Sequence, residues 1–114
     1  MVQNRNTLIE LFIGNISNSI LHKVLEKAAD TEELSSKYNK ELMTSFDIAM
    51  KYRVRINPIN FPLLSQDSEY IRQKVINRIK SELQIRISKG YKGINTNLVE
   101  QFVEDALNQT RIIH

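Results

Sequence analysis

The residue types that most often carry out chemistry in proteins are sparse in this sequence of 114 residues. It contains no cysteine, and its two histidines are His22 and the last residue, His114. Without thiolates, a transition-metal site would have to combine carboxylates with at most these two imidazoles. We interpret His22, which lies between Leu21 and Lys23 on the polar side of a predicted helix, as a solvated surface residue.

Three acids near the C-terminal end are the remaining candidates for catalysis. Glu100 and Glu104 are four residues apart, which places two carboxylates on one face of a helix, and Asp105 follows them. Di-metal sites in helical bundles combine such residues with Glu-x-x-His motifs, and the sequence has none. No serine accompanies a recognisable His–acid pair either. The sequence therefore favours a protein that is not an enzyme, and we assign no catalytic, cofactor-binding or metal-binding residue.

A glycine-bracketed turn, Gly90-Tyr91-Lys92-Gly93, is the nearest approach to a phosphate-binding loop. It has neither the G-x-x-x-x-G-K-S/T frame nor the G-x-G-x-x-G frame, in which successive backbone N–H groups surround a phosphate. Its expected role is structural, because a glycine at this position ends one helix and lets the chain reverse into the next.

Charge is distributed unevenly along the chain, although the net formal charge is only +3. Residues 1–50 carry a net charge of −2, as do residues 93–114, whereas residues 51–92 contain ten Lys or Arg against three acids. A basic region of this kind is typical of surfaces that neutralise the phosphates of nucleic acids. The candidate phosphate-contacting residues are Arg53, Arg55, Lys74, Arg78, Lys89 and Lys92.

Helical spacing brings part of this basic region together. Lys74 and Arg78 fall on nearly the same side of the predicted third helix, away from the apolar Val75 and Ile79. A helix-turn-helix is disfavoured, because the acids of the last helix would oppose its entry into an anionic groove. Contacts from the basic region would therefore position a nucleic-acid backbone rather than read bases.

The two prolines of the chain, Pro58 and Pro62, disfavour helix in their neighbourhood and lie between long helical patterns. Apolar side chains without a helical face surround them, and these are Ile59, Phe61, Leu63 and Leu64. Two interpretations are open. The cluster either folds back to close one end of the helical core, which we favour, or stays exposed and forms the contact with a partner.

Apolar residues recur at intervals of three and four over four segments, which predicts helices at about 7–29, 31–51, 67–89 and 97–111. Capping boxes at Thr7 and at Asp30–Thr31 support the first two starts. The predicted fold is a single all-α domain over residues 1–114. It is a four-helix bundle-like fold of two helical hairpins, joined by an extended proline-containing crossover at about 52–66.

An α+β alternative stays open at this point. Residues 52–56 and 83–88 alternate apolar and polar side chains, as a half-buried strand does. They would pair as a small two-stranded ribbon. Because an isolated ribbon is only marginally stable, the helical interpretation is favoured.

Two functions fit this pattern. We expect a small non-catalytic helical protein that acts through protein–protein contacts and self-associates, since symmetric homodimers are the commonest oligomers. The alternative is a nucleic-acid-associated protein that contacts phosphates through the basic region 53–92. No run approaches the roughly 20 apolar residues that cross a bilayer, so we expect a cytoplasmic protein with no cofactor and no membrane partner.

Overall fold

The computed structural model describes residues 4–113, a range that excludes the second histidine, His114. Four α-helices follow one another: α1 (Arg5–Lys27), α2 (Glu32–Ile56), α3 (Ser65–Ser88) and α4 (Val99–Gln109), with a short 3₁₀ turn at Thr96–Leu98 before α4. No strand occurs within the described residues. The all-α prediction is therefore confirmed, and the alternative with a two-stranded ribbon is wrong.

The starts of the first two helices are set by short polar side chains. Asn4 Oδ1 accepts a hydrogen bond from the backbone N of Thr7 at 2.8 Å, so α1 begins earlier than the predicted cap at Thr7. Thr31 Oγ1 accepts from the backbone N of Leu34 at 3.1 Å, as the second predicted start requires. Helix α1 continues through Gly14 without interruption.

Helix α1 lies at the centre of the fold, since α2, α3 and α4 all pack against it. The α1–α2 pair is antiparallel, as hydrogen bonds from Ser19 Oγ to Leu42 O at 2.7 Å and from Ser35 Oγ to Glu26 Oε1 at 3.0 Å show. Because three helices cover it, α1 buries apolar side chains on several sides. These are Leu8, Ile9, Phe12, Ile13, Ile16, Ile20, Leu21, Val24 and Leu25.

Helix α3 runs parallel to α1, because the antiparallel α2 returns the chain to the end of the molecule where α1 begins and the short crossover keeps it there. Arg5, at the start of α1, bonds Asp67, at the start of α3, at 2.6 Å, and Gly14 lies opposite Arg78 further along. Helix α4 packs antiparallel on α3, with Lys80 paired to Glu100 at 3.1 Å. Helices α1 and α3 therefore lie side by side over most of their length.

Helix α2 is longer than predicted and ends at Ile56, so the crossover shortens to residues 57–64. The apolar–basic alternation that suggested extended chain fits a helix equally well. Arg53 and Ile56, three residues apart, point inward, while Val54 and Arg55 face solvent. Pro58, which lacks a backbone N–H, follows directly after the helix.

Helices α3 and α4 end in the same way, with a residue in the left-handed region. Gly90 has φ +97° after α3, which confirms it as the predicted stop. After α4 the equivalent residue is Arg111, with φ +61°. There the backbone N of Ile112 bonds Leu107 O at 2.9 Å, and both of these side chains are buried. This Schellman arrangement anchors the end of the described chain in the core.

Arg111→Gly should raise the free energy of unfolding by about 1 kcal/mol, because glycine adopts positive φ without the steric penalty of a Cβ. The backbone carbonyl of residue 111 is kept in the variant. Gly90→Ala is the matched opposite change after α3, and we expect it to lower stability by a similar amount. Urea denaturation measures both variants. An unchanged or lower stability for Arg111→Gly would mean that the positive φ of Arg111 costs the protein no stability.

Candidate anion-binding site

The six basic residues predicted to contact phosphate do not share one surface. Arg53 is fully buried, whereas Arg55, Lys74, Arg78, Lys89 and Lys92 are exposed. None of these five lies within 4 Å of a carboxylate in the part of the chain that the structure describes. The prediction is therefore corrected for Arg53, and the other five are placed where a partner can reach them.

Arg53 connects the C-terminal ends of two helices. Its Nε donates to Thr110 O at 2.8 Å and its Nη2 to Arg111 O at 2.9 Å, while Nη1 donates to Asn57 Oδ1 at 2.6 Å. Both ends expose carbonyl oxygens without helical partners, which attract a cation. The side chain thus joins the end of α2 to the end of α4.

No carboxylate within residues 4–113 pairs with this buried charge. Burial accordingly lowers the pKa of the Arg53 guanidinium from its usual value. An arginine nevertheless stays protonated in proteins, so the charge is balanced by carbonyl dipoles and the Asn57 amide oxygen. Arg53 therefore has a structural role, which its spacing from Ile56 alone could not reveal.

Arg53→Gln should lower the free energy of unfolding by about 3 kcal/mol, because the shorter neutral side chain leaves buried carbonyl oxygens unpaired and a cavity beside them. Arg55→Gln removes the same charge from an exposed position two residues away and serves as the control. We expect it to change stability by less than about 0.5 kcal/mol. Equal effects of the two substitutions in chemical denaturation would contradict the structural role of Arg53.

The side of α3 that faces α4 is neutralised by ion pairs. Arg72 Nε donates to Glu104 at 2.7 Å and Lys80 pairs with Glu100, while Arg72 also bonds Glu69. The hydrogen bond from Arg72 to Glu104 raises the pKa of the Arg72 guanidinium. Hydrogen bonds from Gln73 and then Arg72 lower the pKa of the Glu69 carboxyl. The acids of α4, considered above as catalytic candidates, thus serve as partners for α3.

The opposite side of α3, towards α1, has a different charge balance. We define the basic flank as Lys74, Arg78 and Lys89, which fall within about 60° around the helix and span about 22 Å along it. Lys74 Nζ lies 5.7 Å from the centre of the Tyr70 ring, a cation–π contact. Exposed hydroxyl and amide side chains adjoin the flank, and so does one exposed large apolar residue; these are Asn77, Ser81, Ser88 and Ile85.

A cleft of about 390 Å³ separates the basic flank from α1. Gly14 forms part of its wall on α1, and a Cβ added there would lie 3.8 Å from Arg78 Nη1. Across the cleft, Arg86 Nη1 donates to Glu82 Oε2 at 3.1 Å. The cleft is lined by Gly14, Asn15, Ser17, Asn18, Leu21, Arg78, Ile79, Glu82 and Arg86. Its charged residues therefore leave an excess of one positive charge.

Ser17 is the unusual residue of this cleft. It is only 3% exposed, and its Oγ has no hydrogen-bond partner in the described part of the chain. The neighbouring amides are already engaged, since Asn15 Nδ2 donates to Leu11 O at 2.8 Å and Asn18 Nδ2 to Ser45 Oγ at 2.6 Å. A buried polar atom without a partner is rare and costly, so it requires an explanation.

Sequence reasoning did not select Gly14 or Ser17 as site residues. The signal was nevertheless present, because glycine, asparagine and serine interrupt an otherwise apolar helix between Gly14 and Ser19. Such residues are poor helix formers. In a central helix that is covered on several sides, their presence indicates either polar contacts with neighbouring helices or a cavity, and both occur here.

His22 is not a solvated surface residue, so that interpretation is wrong. It is 8% exposed in the α1–α2 interface. Its Nδ1 lies 2.7 Å from Asn18 O and must carry the hydrogen, since a carbonyl oxygen only accepts. Its Nε2 lies 2.6 Å from Glu41 Oε2. The polar side of α1 is covered by α2, which single-helix periodicity cannot reveal.

The apolar cluster beside the prolines is divided by the structure. Leu63 is buried in the core and Ile59 is half-buried, so the favoured interpretation of a segment that closes the core applies to Leu63. Phe61 and Leu64 are 61% and 72% exposed. Of the four predicted contact residues, Leu63 is therefore unavailable to a partner, and Phe61 and Leu64 are largely exposed.

Within residues 4–113, no group of three or more His, Asp or Glu side chains is arranged to hold a metal ion. No helix in the same range is both long and apolar enough to span a membrane.

Comparison with protein-family models, curated proteins and solved structures gave no match. The functional interpretation therefore depends on the geometry of this chain alone.

Proposed function

We propose that this protein is a non-catalytic nucleic-acid-binding protein whose basic flank contacts backbone phosphates. The observation that carries the proposal is the asymmetry of α3. Its α4 side pairs Arg72 and Lys80 with acids, whereas Lys74, Arg78 and Lys89 on the other side have no carboxylate within 4 Å among residues 4–113. Unpaired arginine and lysine side chains on an exposed helix surface are suited to bind phosphates.

The surroundings of the flank support nucleic acid over a membrane surface. Asn77, Ser81 and Ser88 supply hydrogen-bonding groups of the type that bond phosphate and sugar oxygens. A membrane-binding helix would instead need a broad apolar face beside its cations. The exposed apolar residues beside the flank, Tyr70 and Ile85, lie about four turns apart on α3 and do not form such a face.

The remaining basic candidates lie towards the ends of the molecule. Arg55 is in the last turn of α2, near the crossover that leads into α3. Lys92 follows α3 in a loop that forms a shared concavity with Asp30, whose carboxylate reduces the local potential. We therefore base the binding surface on the flank. Three phosphate contacts are few, so we expect weak, salt-sensitive binding without base specificity.

The triple substitution Lys74→Gln, Arg78→Gln and Lys89→Gln should weaken binding of mixed-sequence DNA and RNA by about tenfold or more at low salt. The control triple is Lys37→Gln, Lys40→Gln and Lys51→Gln, which removes three exposed charges from α2. Both variants have the same net charge, so a difference between them reports position. Fluorescence anisotropy with labelled strands measures the affinities.

Salt dependence provides the second part of this test. The logarithm of the affinity should fall with the logarithm of the salt concentration, and the flank variant should lose a slope of about 2 to 3. The control variant should keep the slope of the unmodified protein. Equal losses in both variants, or no binding by the unmodified protein at low salt, would contradict the proposed function.

A second function is favoured by the exposure of Phe61 and Leu64. We propose that the crossover also mediates self-association, with the two side chains of one copy packing against those of a second. Such a contact is self-complementary, as a two-fold symmetric dimer requires. The crossover is ordered for this role, since the backbone N of Phe61 bonds Pro58 O at 2.9 Å. Two side chains bury less than the roughly 800 Å² per partner of a stable interface, so the dimer would be weak.

Phe61→Ala combined with Leu64→Ala should abolish dimers in sedimentation equilibrium and change the stability of the monomer by less than about 1 kcal/mol. Leu63→Ala is the matched control, because it truncates the buried neighbour. It should cost about 3 kcal/mol of stability. A protein that is monomeric at millimolar concentration before substitution would overturn self-association, and a large stability loss in the double variant would place these side chains in the core.

A further inference from the structure

We propose that the α1–α3 cleft is a binding pocket for a single phosphoryl group. The pocket combines a free arginine, Arg78, with the unpartnered hydroxyl of Ser17 and the open space beside Gly14. The inference rests on the proposed function for one source of the group, the terminal phosphate of a nucleic-acid strand. The same chemistry is offered by a free phosphate compound, and the experiment below separates the two.

Arg78 is the cation that is available to a ligand in this cleft. Arg86 is held by Glu82 through its side chain at 3.1 Å and through the Glu82 backbone carbonyl at 3.4 Å. Arg78 forms neither an ion pair nor a hydrogen bond with any residue between 4 and 113. Its planar guanidinium can donate two parallel hydrogen bonds to phosphoryl oxygens.

Gly14 explains why the guanidinium has room beside α1. Glycine in the middle of a helix is intrinsically unfavourable, so a reason for it is expected at this position. A Cβ at this position would lie in van der Waals contact with Arg78, 3.8 Å from Nη1, and would take up part of the space beside the guanidinium. Absence of a side chain therefore keeps the cleft open at the point where the cation lies.

Ser17 supplies the second donor. Its Oγ is shielded from solvent and has no hydrogen-bond partner in the described part of the chain. Because Ser17 lines the cleft, another of its staggered χ1 rotamers would point the hydroxyl towards a bound ligand. A phosphoryl oxygen would then accept from both Ser17 and Arg78, which satisfies the buried hydroxyl and the free guanidinium together.

The cleft is larger than one phosphate, at about 390 Å³. It therefore has space for a group attached to the phosphate, such as a sugar. The rest of the lining consists of the amide side chains of Asn15 and Asn18, the Glu82–Arg86 ion pair, and two apolar residues, Leu21 and Ile79, that lie deeper between the helices. A phosphomonoester suits this lining, because its phosphate can meet Arg78 and Ser17 while its organic group contacts the amide and apolar side chains.

Two substitutions test the pocket without removing charge. Ser17→Ala deletes the hydroxyl and Gly14→Ala narrows the space beside Arg78. Both should keep or raise the melting temperature, because one removes an unpaired buried polar atom and the other improves a helix. Ser17→Ala should weaken binding of inorganic phosphate and of adenosine monophosphate by about tenfold in an NMR titration, the loss expected for one hydrogen bond to a charged group. Gly14→Ala should weaken both as well, because the added methyl group occupies space beside Arg78. Ser36→Ala, at an exposed position on α2, should leave the affinity unchanged.

The same proteins are then titrated with one oligonucleotide that carries either a terminal phosphate or a terminal hydroxyl. Tighter binding of the phosphorylated strand that disappears in Ser17→Ala would assign the pocket to a strand end. Binding of the small phosphates without that preference would assign it to a free phosphate compound and overturn the strand-end source. Failure of the hydroxyl-ended strand to bind at low salt, with phosphate binding intact, would overturn the proposed function and keep the pocket. Phosphate binding that Ser17→Ala and Gly14→Ala leave unchanged, or its absence at millimolar concentration, would overturn the pocket.

Discussion

The buried guanidinium of Arg53 is the interaction on which the arrangement of the four helices most depends. It joins the end of α2 to the backbone carbonyls that follow α4, and in doing so fixes two elements that otherwise contact each other little. Helix α2 packs mainly on α1, and α4 packs mainly on α3. The left-handed conformation of Arg111 presents its carbonyl to Arg53, while Ile112 enters the core directly afterwards. A charge buried without a carboxylate is tolerated here because helix ends supply oriented dipoles.

The central position of α1 has consequences for function. A helix covered on several sides must bury its polar residues as well as its apolar ones, and each buried polar group then needs a partner. Ser19 and His22 find partners on α2. Ser17 faces the α3 side and finds none among the described residues. Buried polar groups of α1 need partners on both sides. On the α2 side the neighbouring helix supplies them, whereas on the α3 side a cleft separates the helices, and the proposed pocket lies there.

Local features of the structure were predictable where local chemistry decides them. Thr31 caps α2 and Gly90 ends α3, because cap hydrogen bonds and positive φ depend on a few adjacent residues. The predicted end of α2 at residue 51 lies before the observed end at Ile56, since an alternation of apolar and basic residues fits both a strand and a helix with two inward positions. Only the packing partner distinguishes the two structures. Arg53 points inward because it bonds the backbone carbonyls of Thr110 and Arg111, which directly follow α4.

The sequence by itself determined the all-α class, the approximate number of helices and the concentration of positive charge in residues 51–92. These follow from periodicity and composition, which are properties of the chain alone. Tertiary structure decided which charges remain available, because acids of α4 neutralise one side of α3 and burial removes Arg53 from the surface. It also decided that Gly14, Ser17 and Arg78 meet at one cleft. Residues more than 60 positions apart come together only through the parallel packing of α1 and α3, which no local pattern encodes.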